Sequence, residues 1–215
     1  MTMSGLKQKL PTLLKGAVRI AVVGIGSELR GDDAVGLLVL ERLREKISKQ
    51  KKSRLSSISK RCNVACDVAF RAERGILSKE VNADEILHPL RTQDDRKGGP
   101  IATLDLKLFN GGTAPENLTG EIRRFKPGHL IMIDAVELGK RPGTVALVDV
   151  KKVENTAFLT HKLPIKLMLD YLASEMTFTT VFIGIQPRSL EFEGKISKPV
   201  IRAGAKLADL LFSSL

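Results

Sequence analysis

Five stretches of the chain carry the apolar pattern of β-strands. Residues 18–23 run apolar into the turn Gly24-Ile25-Gly26. Residues 104–109 alternate apolar with polar up to Gly111-Gly112, and residues 130–133 are continuously apolar up to Asp134. Residues 144–148 follow the turn signal Pro142-Gly143, and residues 179–183 stop at Gly184-Ile185-Gln186-Pro187. β-Branched enrichment inside each run and turn residues at its end mark all five as strands.

Helical spacing fills most of the gaps. Over residues 33–47, Val35, Leu38, Val39 and Leu43 form one stripe. Thr113-Ala114-Pro115-Glu116 has the form of a capping box with Pro in the first turn, opening a short helix that stops near Lys126-Pro127-Gly128. Residues 164–174 carry Leu167, Met168, Tyr171 and Leu172, and Ser197 is placed to cap a last helix with Ile201, Leu207, Leu210 and Leu211. Strands alternating with helices predict an α/β fold in three layers: a five-stranded, mostly parallel sheet with helices on both faces. The link between strands three and four is too short for a crossover helix, so strand four is expected to be antiparallel to its neighbour.

Residues 48–102 break this rhythm. The segment is basic and polar and ends near Gly98-Gly99-Pro100; residues 64–76 and 81–87 have short helical patterns. It is expected to be an insertion in a single α/β domain spanning residues 1–215.

Composition narrows the partners. The formal net charge of +11 points to an anionic partner. Much of the excess lies between Arg44 and Lys97, including Lys49-Gln50-Lys51-Lys52-Ser53-Arg54, a run that reads as a solvated face before it reads as a nucleic-acid or membrane contact. There is no Trp and one Tyr, which leaves little for stacking single-stranded nucleic acid, and no recognition module accompanies the charge. Nucleic acid is therefore not the expected partner. Cys62 and Cys66 lack a second Cys or His pair at zinc-finger spacing. Low cysteine usage fits a reducing compartment. No run is long and apolar enough to span a bilayer, and the first 18 residues lack a signal-peptide core, so a cytoplasmic monomer is expected.

Loops leaving the carboxyl ends of parallel strands meet at one edge, where ligands bind. Three groups fall there: Asp32-Asp33 after strand one, Asp134 ending strand three, and His161 before the helix that leads to strand five. Two carboxylates and an imidazole suit a borderline divalent ion such as nickel or zinc and leave coordination positions open. Each also has a plainer reading. Asp32 and Asp33 fit a helix cap, Asp134 a strand-end turn, and His161 an ordinary loop residue. Adjacent helical residues point about 100° apart, so Asp32 and Asp33 do not make an aspartic dyad. His129, at the start of strand three, belongs to the opposite edge, and His88 has no comparable partners. Gly24-Ile25-Gly26 also resembles a dinucleotide fingerprint, but the third glycine is missing and Glu28, Asp32 and Asp33 would repel a pyrophosphate.

These residues resemble the hydrogenase maturation endopeptidases, in particular the type serving group 4 (hydrogenase 3-like) enzymes. Five motifs carry the likeness in order: residues 24–36, Gly24-Ile25-Gly26-Ser27-Glu28-Leu29-Arg30-Gly31-Asp32-Asp33-Ala34-Val35-Gly36; Asn110-Gly111-Gly112-Thr113-Ala114-Pro115-Glu116-Asn117; Ile133-Asp134-Ala135-Val136 with Pro142-Gly143-Thr144; Thr160-His161-Lys162-Leu163-Pro164; and Gly184-Ile185-Gln186-Pro187. The family usually has Asn where this chain has Ser27, and the basic insertion is not part of its compact chain. The resemblance implies that Asp33, Asp134 and His161 are the metal-contacting and catalytic residues, and that Asn110, Gly111, Gly112 and Thr113 govern substrate specificity. It implies a substrate, the nickel-loaded large-subunit precursor of a [NiFe]-hydrogenase, which loses its C-terminal extension. Nickel then arrives with the substrate, and no organic cofactor is expected. Two other readings stay open at this point: a non-catalytic nickel-dependent checkpoint or chaperone for the same precursor, and a nucleotide-binding α/β module.

Overall fold

The computed structural model describes residues 3–61, 104–149 and 162–215. The chain divides into two compact units, one of Met1–Arg44 with Ala102–Leu215 and one of Glu45–Ile101. The sheet and every described candidate site residue belong to the first.

The five strands are β1 (Arg19–Ile25), β2 (Asp105–Gly112), β3 (His129–Ala135), β4 (Val145–Leu147) and β5 (Thr179–Ile185). The sheet order is β2-β1-β3-β5-β4. β1 is parallel to β2 and β3, and β3 is parallel to β5. β4 is antiparallel, and the strand it pairs with is β5. The two central strands are buried almost end to end, as their unbroken apolar runs require when both faces are covered.

Helices cover both faces. On one, Ala21, Val23, Ile25, Leu130 and Met132 pack with Ile122 of α3 (Thr119–Phe125) and with Ile165, Met168 and Leu172 of α4 (Lys162–Glu175). The opposite parity of β1 faces α2 (Val35–Arg61): a Cβ on Gly24 would lie 2.5 Å from the Gly36 carbonyl oxygen and 3.2 Å from Leu40 Cβ. α5 (Lys198–Ser214) packs on α2 at Gly204, where an added Cβ would touch Val35, Leu38 and Val39 at 3.4 Å. The layered α/β expectation therefore holds.

Several local expectations need correction. A first helix, α1 (Met3–Leu13), packs against α5 and β4. Its signal is only Leu6, Leu10 and Leu14, buried at four-residue spacing in a polar, basic stretch that contains Pro11. The helix expected over residues 33–47 begins as a 3-10 turn, Gly31–Ala34, and becomes α-helical at Val35. It continues to Arg61, through the basic run, whose Lys and Arg residues are good helix formers. The capping box does not form. Ala114 is the cap of a 3-10 turn, Pro115–Leu118, and makes no side-chain bond to it. That extra tight turn shifts the start of α3 to Thr119, out of reach of Thr113. α3 ends at Lys126, which adopts a left-handed φ of 50° just before Pro127. Ser197 occupies the cap position of α5, but its hydroxyl donates to Asp32 and accepts no amide of the helix. The short helices expected over residues 64–76 and 81–87, with Cys62, Cys66 and His88, lie outside the described residues.

Candidate active site

The site begins where β1 and β3 end. Their register pairs Gly24 with Ile133, so Ile25 and Asp134 stand side by side at the carboxyl edge. Gly36, in the first turn of α2, fits directly over this corner. A Cβ there would overlap the carbonyl oxygens of both Ile25 and Ile133. Gly26, at φ 134°, is pressed against the carbonyl of Asp33 so closely that no Cβ fits. The 3-10 turn that carries Asp33 packs against β3. Glycines thus let the turn after β1 close onto the end of β3, and the backbones of Asp33 and Asp134 share one corner.

Both carboxylates are buried, Asp33 at 1% exposure and Asp134 at 0%. Burying an ionised carboxylate costs several kcal/mol unless it is hydrogen-bonded or paired. Asp33 Oδ2 accepts the Ser27 amide at 2.9 Å, and Asp134 Oδ1 accepts the following amide, Ala135, at 2.8 Å. The third predicted member, His161, lies outside the described residues. Among the described residues, no group of three or more His, Cys, Asp or Glu side chains gathers as a metal site.

The neighbouring carboxylate does different work. Asp32 is also 1% exposed, but it points to the segment after β5. Its oxygens accept the Arg188 amide at 2.6 Å, the Ser189 amide at 3.3 Å, and the Ser197 amide and hydroxyl at 2.5 and 2.9 Å. The helix-cap reading of Asp32 is replaced by this tie across more than 150 residues of sequence. Asp32 and Asp33 therefore face different partners, as their adjacency in a tight turn requires.

The residues expected to govern specificity lie beside the corner. Asn110, Gly111 and Gly112 are the last residues of β2, with Thr113 in the turn that follows. Gly112 pairs with Ile25 after a bulge, and its carbonyl accepts the Gly26 amide at 2.9 Å. Asn110 is exposed, and its side-chain oxygen accepts the Gly112 amide at 3.0 Å. A cleft of about 550 Å³ opens here, lined by Glu28, Leu37, Leu38, Asn110 and Ile196 among others. Neither this cleft nor a larger one of about 870 Å³ is lined by Asp33 or Asp134.

The same amides argue against a nucleotide. Those of Gly26 and Ser27, which would cradle a phosphate after β1, are already taken by the Gly112 carbonyl and the Asp33 carboxylate. His129 starts β3 at the opposite edge, as expected.

Gln186 was not singled out from the sequence as a site residue. It is 3% exposed and organises the loop after Asp134. Its side-chain oxygen accepts the amides of Leu138 at 2.7 Å and Lys140 at 3.1 Å, and its nitrogen donates to Glu137 at 2.8 Å. The available signal was a polar residue directly extending the buried run of β5.

Known proteins with the same pattern decide the family. The family described as hydrogenase maturation protease (HycI) matches residues 90–214, more than half of the chain. The chain belongs to the hydrogenase maturation protease family. Across 206 residues, 96% of this chain and 94% of its relative, it is 26% identical to a putative hydrogenase maturation protease of Methanocaldococcus jannaschii. It is 31% identical over 94 residues to the hydrogenase 3 maturation protease of Escherichia coli, covering 43% of this chain and 60% of that one. The crystal structure of the [NiFe] hydrogenase maturation protease HycI from Thermococcus kodakarensis superposes with a TM-score of 0.64 at 26% identity, covering 96% and 97% of the two chains. The solution structure of the Escherichia coli endopeptidase HycI shares the fold at a TM-score of 0.55, with 20% identity and coverage of 89% and 87%. Relatives of this maturation protease are named as proteases and endopeptidases, which are hydrolases, and the chain falls in the same enzyme class. No helix among its described residues is long and apolar enough to cross a membrane.

Proposed function

We propose that this maturation protease removes the C-terminal extension of a nickel-loaded [NiFe]-hydrogenase large-subunit precursor, and that Asp33, Asp134 and His161 grip the nickel the precursor carries. The observation that carries the reading is the corner itself: two buried carboxylates, Asp33 in the turn after β1 and Asp134 near the carboxyl end of the adjacent parallel strand β3. Two anionic oxygens and an imidazole nitrogen suit a borderline divalent ion. Three protein donors leave room for ligands that arrive with the substrate.

On this reading Asp33 and Asp134 would hold the ion, each carboxylate oriented by one amide, of Ser27 and Ala135 respectively. The ion fixes the tail next to the site, where Lewis-acid polarisation of the scissile carbonyl or activation of a water supports hydrolysis. Asn110, Gly111, Gly112 and Thr113, beside the same corner, select the chain that is cut.

Incubation with nickel-loaded and nickel-free precursor, followed by intact-mass measurement of the large subunit, tests this. A product shortened at its C-terminus only in the nickel-loaded sample is the expected result. A loaded, cognate precursor that binds but keeps its full mass would make the protein a checkpoint instead.

A further inference from the structure

Phe192 is 67% exposed, more than any other large apolar side chain among the described residues, and Leu29 is 60% exposed. They are far apart in sequence, but the backbone brings their segments together: the Glu193 amide donates to the Leu29 carbonyl at 2.7 Å. The segment bearing Phe192 is held rigidly. Asp32 anchors both of its ends, its amide donates to the Ser189 carbonyl at 3.1 Å, and Glu193 is kept at a left-handed φ of 57°. Two apolar side chains left in water on neighbouring segments that are tied together offer surface for burial against another molecule.

The pair is also continuous with the carboxylate corner. Leu29 lies between Ser27, whose amide binds the Asp33 carboxylate, and Arg30, whose carbonyl accepts the Asp33 amide at 3.0 Å. On the reading above, a molecule that brings a metal ion to Asp33 meets the turn that carries Leu29. Exposed Glu28, Arg30, Glu191 and Glu193 surround the pair with charges of both signs. An apolar centre in a polar rim is the anatomy of a transient protein interface, where aromatic anchors dominate binding.

We infer that Leu29 and Phe192 form the anchor on which an apolar segment of the large-subunit precursor docks, close to the bond to be cut. This rests on the endopeptidase reading above. The test measures tail removal from nickel-loaded precursor against precursor concentration, for wild type, Leu29→Ser, Phe192→Ser, the double variant and Phe192→Leu. Val18→Ser, an exposed apolar site preceding β1 at the amino edge, serves as control. The double variant should raise the half-saturating concentration tenfold or more, with an unchanged thermal midpoint. Phe192→Leu should recover most of the loss, and Val18→Ser should match wild type. Wild-type half-saturation in the double variant, alongside a cutting wild type, would overturn the anchor alone. A wild type that never cuts would overturn the endopeptidase reading, and the anchor with it. Sedimentation that shows a wild-type dimer, converted to monomer by the double variant, would reassign the pair to self-association and also overturn it.

Discussion

Asp32 and Asp33 are neighbours with the same chemistry, the same burial and separate tasks. Asp32 accepts four hydrogen bonds from Arg188, Ser189 and Ser197. Asp32→Ala leaves a buried hole and four part-buried donors without their acceptor, and the loss should be about 2–4 kcal/mol in chemical denaturation. Asp33→Asn keeps an oxygen for the Ser27 amide but removes the negative charge, so it should cost less than about 1 kcal/mol while tail removal falls by at least a hundredfold. A large stability loss in Asp33→Asn with retained activity would reverse the two assignments. The sequence marked the pair but not the division of labour, because nothing local reveals that Asp32 reaches a segment more than 150 positions away. Asp134 was legible, since an acid that ends an unbroken apolar run must sit at a strand's carboxyl end. Gln186 was not, because its partners lie in the loop at 137–140 and only the antiparallel pairing of β4 with β5 brings that loop over it.

Among the elements, the strands were readable because β1 and β3 are buried on both faces and carry continuous apolar runs. α1 was not, since three leucines in a charged stretch gain their meaning only from the α5 and β4 surface they cover. The start of α3 was misplaced for a related reason: a capping box and a 3-10 turn share the same opening residues, and Pro115 admits both. Two glycines separate packing from freedom. Gly36→Ala drives a methyl into the carbonyls of Ile25 and Ile133 and should destabilise by about 3 kcal/mol or more, pulling α2 off the site corner. Gly120, exposed in α3 with nothing within 4 Å of its would-be Cβ, should accept Ala with a gain of about 0.5–1 kcal/mol. Denaturation midpoints that move in the same direction for both variants would contradict this packing of α2.

For the whole molecule, the sheet order matters more than any cleft. β1 has β2 on one side and β3 on the other, so the chain leaves it towards a crevice at the carboxyl edge. Asp33, Asp134 and the Asn110–Gly112 strand end come together there, although β1 and β3 are separated in sequence by more than a hundred residues. The family match over residues 90–214 takes in Asp134, His161 and residues 110–113, while Asp33 comes from the turn after β1. The proposed site thus draws on both sides of the long segment that divides the sheet in sequence.

Calorimetric titration of nickel into the intact protein is the most direct test of the assembled site. Wild type should bind one equivalent, and Asp33→Asn, Asp134→Asn and His161→Ala should each weaken binding at least tenfold while keeping the wild-type fold by circular dichroism. Nickel binding that is absent from the wild type, or unchanged in all three variants, would contradict a shared metal-gripping corner.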